Sequence, residues 1–391
     1  MKNKKDSFDN PKIKVPLLIP SLSSIDKKAV HDALNKNMLT DGPQLANFEN
    51  KFANYVNSKY SVGVSNATSA LFLSLKSLGI GKNDEVIVPD LTFVATANAV
   101  LQTGATPVIV DVEKDTMNID VKSIESNISK KTKAIIPVHF AGQACNMTKI
   151  MSLAKSKKLF IVEDCAHAIG TKFKNKHVGT FGEFGCFSFY PTKNLTTIEG
   201  GMIIGKNNKL IDRVKILRNH GLTRSLKDRY EKGYPWNYDI TEPGYNFRLD
   251  EIRSSLGLSQ LKQLKQMNKK RRLAYKYYNE LLGNIDGITT PNEKNIANNS
   301  CHLYIIRIQK NKFYISRNKL FEKLLSNGIR TTVHYKPLHK FLIYKKQGII
   351  KDDMKNSNEL YEQIISLPLY PDIKKHEQDF VVKTIRKIKN E

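Results

Sequence analysis

Phe160-Ile161-Val162-Glu163-Asp164-Cys165-Ala166-His167-Ala168-Ile169-Gly170 is the stretch on which the fold turns. An apolar run ends in two carboxylates, and a glycine closes the segment. Residues 159–163 predict a buried strand with an acidic carboxyl end. Open α/β sheets collect their ligands at such strand ends. Working outward, residues 147–157 predict a helix, and 133–138, 107–111, 85–88 and 60–64 predict further short strands. Helices are predicted between them at 92–103 and 70–78, and before them at 43–56 and 23–34. In residues 43–56 the apolar positions Leu45, Phe48, Phe52 and Val56 recur on one side. Short apolar strands alternating with helices predict an α/β fold, with a mostly parallel sheet flanked by helices on both faces.

The pattern changes near Asp250. A long, charged helix is predicted over 256–279, then a strand at 302–308 and helices at 315–325 and 377–389. The chain therefore divides into a large α/β domain over 1–250 and a smaller C-terminal α+β domain over 251–391. Its 391 residues suffice for two such units, and 40% hydrophobic residues describe a globular chain.

No apolar run approaches the roughly 20 residues a membrane-crossing helix needs. The start, Met1-Lys2-Asn3-Lys4-Lys5-Asp6, is charged, with no apolar core after it, which predicts no signal peptide. Cys145, Cys165, Cys186 and Cys301 form no CxxC pair, which points away from zinc or a disulfide framework and towards a reducing cytoplasm. The net charge of +26 is spread along the chain without a recognisable binding motif, so nucleic acid is not the expected partner.

The chemistry-bearing residues sit at strand ends and glycine-rich turns. Ser188-Phe189-Tyr190-Pro191-Thr192-Lys193-Asn194-Leu195 follows an aromatic run, 187–190, that reads as buried strand. A lysine just beyond it lies near the interior, where its charged form is costly unless paired or chemically used. Its amine can form a Schiff base with an aldehyde cofactor. An acid such as Asp164 can keep a pyridine nitrogen protonated, and the two together are the minimum for pyridoxal phosphate chemistry. Asp164 can equally be a helix cap, and His167 either a ring contact or a core histidine. Ser65-Asn66-Ala67-Thr68-Ser69 lies between a strand and a helix, where it either binds a phosphate or simply caps. Phe93, after the strand stopped by Pro89, either stacks on a flat ring or packs in the core. Ser188 is within reach of a cofactor phosphate. In Gly244-Tyr245-Asn246-Phe247-Arg248, Asn246 can donate and accept, and Arg248 can hold a carboxylate or phosphate. His334 and His339 stand in a polar, aromatic loop without an acidic neighbour in sequence, so no metal site is expected.

In order and spacing these anchors resemble the DegT/DnrJ/StrS group of pyridoxal-phosphate (PLP)-dependent sugar aminotransferases, of fold type I. The strongest are residues 88–97, 163–170, 188–195 and 244–248, and the likeness runs from Leu39 to Tyr370. The resemblance implies that Lys193 is the Schiff-base lysine and catalytic base, and that Asp164 meets the ring nitrogen. It implies that His167 sits beside the ring oxygen, Phe93 stacks on the ring, and Ala67, Thr68 and Ser188 hold the phosphate. It implies that Asn246 reaches the cofactor of a second subunit in a homodimer with shared active sites. Arg248, His334 and Tyr335 become candidate substrate contacts. Ala67 stands where glycine is commoner, which is tolerable if its φ is negative.

The implied reaction takes an amino group from glutamate, leaving 2-oxoglutarate, and gives it to a nucleotide-linked keto-sugar. The expected position is C4 of a 4-keto-6-deoxy sugar, in surface polysaccharide or glycan biosynthesis. Transamination at C3, or of a cyclitol ketone, is the alternative. A non-catalytic regulator or nucleic-acid binder on the same fold is the alternative of another class.

Overall fold

The computed structural model describes residues 12–224, 233–292 and 296–391. In chain order its strands are β1 (Tyr60–Val64), β2 (Glu85–Pro89), β3 (Thr106–Val110), β4 (Thr132–Ile135), β5 (Phe160–Asp164), β6 (Lys172–Phe173) and β7 (Lys176–His177). They continue as β8 (Phe184–Ser188), β9 (Gly201–Gly205), β10 (Ile288–Thr289), β11 (Tyr304–Ile308), β12 (Ile349–Ile350) and β13 (Ile364–Leu367). Among the described residues, eight strands form one sheet in the order β1-β9-β8-β5-β4-β2-β3-β12. Every neighbouring pair from β12 to β8 is parallel, and β9 runs antiparallel to both β8 and β1.

That single reversal positions the chemistry. β5 and β8 are parallel, with Asp164 opposite Cys186, so both strands end at the same edge. The chain leaves β8 at Ser188, turns through Lys193 and returns along β9. Lys193 and Asp164 are thereby delivered to one edge from adjacent strands.

Alternation along β5 sends its two carboxylates to opposite faces. Val162 belongs to a core with Leu71, Leu73, Ala97, Val100 and Val214, from the helices Ala67–Ser77, Ala95–Gln102 and Asn208–Arg218. Ile161 belongs to the opposite core, with Ile124, Ile150 and Ala154 from the helices Val121–Asn127 and Met147–Lys157. On that opposite face nearer β8, Phe48 of helix Pro43–Val56 meets Phe189, and Phe52 meets both Phe187 and Phe189, with ring centroids 5.1–5.5 Å apart. The helix Glu251–Leu282 approaches so closely that a Cβ on Gly257 would lie 2.5 Å from the Phe48 ring.

The expected elements recur with shifted ends. The helix read at 70–78 starts earlier, at Ala67, because the Asn66 side chain caps it by accepting from the Ser69 N–H at 2.8 Å. The helix read at 92–103 starts later, at Ala95, so Thr92-Phe93-Val94 forms the turn ahead of it. The buried strand read over 187–190 is corrected: β8 stops at Ser188, and Tyr190 is exposed.

Beyond Asp250, β10, β11 and β13 form an antiparallel sheet covered by the helices Arg317–Ser326 and Lys375–Asn390. Tyr278, Tyr304, Leu320, Ile365 and Ile385 are fully buried in its core. β12, from the same part of the chain, instead pairs parallel with β3 at the rim of the large sheet. Residues past 250 thus return to the large sheet, and two isoleucines leave too short an apolar run to announce it.

Candidate active site

The Asp164 side chain is 5% exposed. Its Oδ1 accepts from the Ala166 N–H at 3.0 Å and its Oδ2 from the Thr96 hydroxyl at 2.9 Å. Burial pushes its pKa above the usual carboxylate value, against the pull of those two donors and of Lys193. Lys193 is half-buried, and burial lowers its pKa to about 8, with the Asp164 charge opposing the drop. A lysine in that range is a usable base near neutral pH.

His167 lies next to them, and its protonation pattern follows from its partners. Nδ1 accepts from the Ala141 N–H at 3.3 Å, so in the neutral ring Nε2 carries the proton and donates to the Tyr335 oxygen at 3.1 Å. Burial first, then the charges of Lys193 and His334, hold its pKa well below the ordinary histidine value. Both nitrogens are therefore engaged, and the Tyr335 hydroxyl, accepting from His167, keeps its own proton to donate. Tyr335 also faces Phe93, with ring centroids 5.7 Å apart, and Phe93 is 56% exposed rather than packed in the core. His334 bonds the Ser366 hydroxyl at 2.8 Å, and burial with Lys193 nearby takes its pKa down to about 3.

Residues for an anionic group gather at the start of helix Ala67–Ser77. The first N–H groups of a helix have no partner within it. Ser69's is taken by Asn66, which leaves those of Ala67 and Thr68 at the head of the helix for an anion. Ala67 has no positive φ, so glycine is not required there. Ser188 pairs with Gly201, and a Cβ on Gly201 would meet the Asn66 carbonyl at 2.6 Å and Ala67 N at 2.9 Å, so β9 brings Ser188 beside this helix start. Arg248 bridges to Val64 just before it and donates to the Asn219 side chain at 2.7 Å. Asn246 is exposed, and its backbone bridges to Asn219. These residues fit PLP: a helix start for its phosphate, a buried carboxylate for its ring nitrogen and a half-buried lysine amine for its aldehyde.

Sequence reasoning passes over four residues of this site: Thr92, Thr96, Asn194 and His302. The Asn194 amide donates to Asn268 Oδ1 at 2.7 Å and to the Ser300 carbonyl at 2.8 Å, and its oxygen lies 3.0 Å from His302 Nδ1. This ties the Lys193 turn to the long helix and to residues 300–302. The His302 ring is 4.5 Å from that of His167. Nothing near His302 in sequence marks it, whereas Thr92 and Thr96 stand at helical spacing around Phe93.

His339, which has no acidic neighbour in sequence, gains one through the fold: its Nδ1 is 2.6 Å from Asp90 Oδ2. Among the described residues, His139, Glu163 and Cys165 stand close enough together to suggest a metal. Their donors are already engaged. Glu163 accepts from Gly179, Phe181 and Gly182 N–H groups and from His139. Burial holds the Cys165 thiol far above its usual pKa, so it stays protonated.

The chain resembles known proteins along nearly its whole length. Residues 20–386 match the model of the DegT/DnrJ/EryC1/StrS aminotransferase family. The spore coat polysaccharide biosynthesis protein SpsC of Bacillus subtilis is 37% identical over 376 residues, covering 96% of this chain and 97% of that protein. Spr1654 of Streptococcus pneumoniae in its PMP form superimposes with a TM-score of 0.89 at 31% identity, over 96% of this chain and 99% of that one. Helicobacter pylori PseC, an aminotransferase involved in the biosynthesis of pseudoaminic acid, gives 0.88 at 31% identity, over 96% and 99%. Among the described residues no helix is long and apolar enough to cross a membrane. With this fold, this likeness and a lysine and carboxylate delivered to one sheet edge, the chain belongs to the DegT/DnrJ/EryC1/StrS aminotransferase family, the PLP-dependent sugar aminotransferases of fold type I.

Proposed function

We propose that the chain moves an amino group from glutamate to a nucleotide-linked keto-sugar, at C4 of a 4-keto-6-deoxy sugar, in the cytoplasmic assembly of a surface polysaccharide or glycan. The observation that carries the reading is Lys193, a half-buried amine with its pKa at about 8, coupled to the buried Asp164 carboxylate. The likeness to SpsC, a spore coat polysaccharide biosynthesis protein, and to PseC, an aminotransferase of pseudoaminic acid biosynthesis, supports the sugar and polysaccharide direction.

When bound, PLP supplies a protonated ring that draws electron density away from the donor's α-carbon, which makes its C–H acidic. The residues of this chain do the rest. Asp164 accepts the ring N–H and keeps it protonated. Ala67 and Thr68 N–H groups, with the Ser188 hydroxyl, receive the phosphate. Phe93 covers a ring face, and Tyr335, oriented by His167, offers its hydroxyl proton to an oxygen acceptor. Neutral Nζ of Lys193 would take the proton from the donor's α-carbon and return it to the carbon on the far side of the transferred nitrogen. In the second half it runs the same transfer backwards on the sugar. Arg248, His334 and Tyr335 contact substrate. Asn246, exposed and remote from Lys193 in sequence, serves a partner subunit in a homodimer with shared sites.

The visible spectrum of the PLP-loaded protein tests this directly. A yellow band that bleaches with glutamate, followed by amination of a nucleotide 4-keto sugar and not its 3-keto isomer, is the expected result. A band indifferent to glutamate removes the donor, and turnover of the 3-keto isomer alone moves the acceptor position to C3.

A further inference from the structure

Asp164 is held by more than the strand that carries it. The Thr96 hydroxyl lies 2.9 Å from Asp164 Oδ2, and the Thr92 hydroxyl lies 2.9 Å from that of Thr96. Both threonines are buried, at 0% and 3% exposure. An ionised carboxylate only accepts, so the Thr96 proton is committed to Asp164. The Thr96 oxygen is then the acceptor for Thr92, and the chain runs one way, from Thr92 to Thr96 to Asp164. Successive bonds in such a chain polarise and strengthen one another. Threonine in a helix commonly turns its hydroxyl back to a carbonyl one turn earlier. Here Thr96, in the first turn of helix Ala95–Gln102, reaches a strand 68 residues on.

We propose that Thr92 and Thr96 are positioning residues for Asp164: a one-way hydroxyl relay that sets the carboxylate's orientation and decides which lone pair is left for the cofactor's ring nitrogen. The inference rests on the reading that Asp164 meets that nitrogen. Thr92 and Thr96 stand on either side of Phe93 in sequence, so one short turn both presents the aromatic that would cover the ring and holds the carboxylate that would meet its nitrogen. With Ala166 N–H on Oδ1 and Thr96 on Oδ2, each oxygen has one donor and one free direction. Burial drives Asp164 towards its neutral form, and the Thr96 hydroxyl is among the groups that oppose it. Without Thr96 the carboxylate protonates at higher pH, and a neutral acid no longer holds the ring nitrogen as a cation.

The test compares T96V, T96S, T92V and D164N as PLP-loaded proteins. The readouts are the single-turnover bleaching rate with glutamate from pH 6 to pH 9 and PLP affinity by fluorescence titration over the same range. A hydrogen bond to a charged group is worth enough that T96V should bleach about ten-fold or more slowly. The deficit should be greater at the acid end of that range and shrink as pH rises, because burial already holds the Asp164 carboxyl above its usual value and loss of the Thr96 donor moves it further the same way. PLP affinity should show the same pH trend. T96S, which keeps the hydroxyl, should come within about three-fold of wild type, and T92V should lose about three-fold, as the remoter member of the chain. T96S as slow as T96V, with a deficit flat across pH, would show packing alone and overturn the relay. Wild-type rates in T96V with D164N slow would overturn it too. Wild-type rates in D164N would remove the parent reading of Asp164, and the relay with it. If T96V does not fold, T92V decides: a loss of about three-fold that shrinks as pH rises sustains the relay, and wild-type behaviour or a loss flat across pH overturns it.

Discussion

Glu163 and Asp164 are consecutive acids at the end of one strand, yet they live opposite lives. Glu163 is fully buried and saturated: three backbone N–H groups from residues 179–182 and the His139 ring surround it. Burial pushes its pKa up, but the His139 bond and charge, with the Gly182 and Gly179 N–H groups, outweigh it and bring the pKa below normal. Asp164 accepts one donor on each oxygen, and burial wins, so its pKa rises. Saturation makes the first a structural anchor, and incomplete satisfaction leaves the second with capacity for a ligand. Where both are buried, the count of donors separates scaffold from site.

The largest effect that would sharpen this contrast is on rate. D164N should slow the glutamate half-reaction by at least about a hundred-fold in stopped-flow bleaching, while its melting temperature stays close to wild type. Lys193→Ala should bind PLP yet give no detectable transamination, and turnover by that variant would break the assignment. Glu163→Gln should do the reverse, costing about 3 kcal/mol in denaturant unfolding because one partner of a buried pair is lost, with the visible band kept in the folded fraction. The sign with pH follows: a carboxylate pKa depressed by folding stabilises above the unfolded value of 4.5 and loses that contribution as pH falls below it, so the wild-type advantage over the variant should fade in acid.

Smaller effects concern the amine across from Asp164. The half-reaction rate should rise with pH along a limb centred near 8, where Lys193 Nζ loses its proton. A limb near 10 would mean that Lys193 is solvated. The same depression predicts a stability effect without cofactor. Burying a charged amine is unfavourable while it is protonated in both states, so Lys193→Met should raise the apo-protein's melting temperature by a few degrees at pH 7. The gain should shrink as pH climbs from about 8 towards 10.5, where the unfolded amine also becomes neutral.

Much of the frame is local and so was legible. The periodicity of Leu45, Phe48, Phe52 and Val56 marks helix Pro43–Val56, and the apolar run before Glu163 marks β5. Lys193 and Asp164 stand out because a lysine after an aromatic run and an acid at a strand end are each locally odd. What sequence proximity cannot carry is partnership. That Asp164 takes the Thr96 hydroxyl while its neighbour takes the 179–182 loop depends on strand alternation sending two adjacent side chains to opposite faces of a sheet. That the His302 ring lies against His167, and Asn194 ties the lysine turn to Asn268 and Ser300, depends on segments more than 70 residues apart being packed together. That β12 edges the large sheet depends on backbone pairing with β3 rather than on its own two residues. The amino-acid order by itself determined the layered fold and the family, and singled out Lys193 and Asp164 as the pair proposed to react, because those are written in periodicity and in a few adjacent residues. Tertiary structure alone decided which acid is anchor and which is site, because burial and the supply of hydrogen-bond donors belong to the packed chain and not to any one stretch of it.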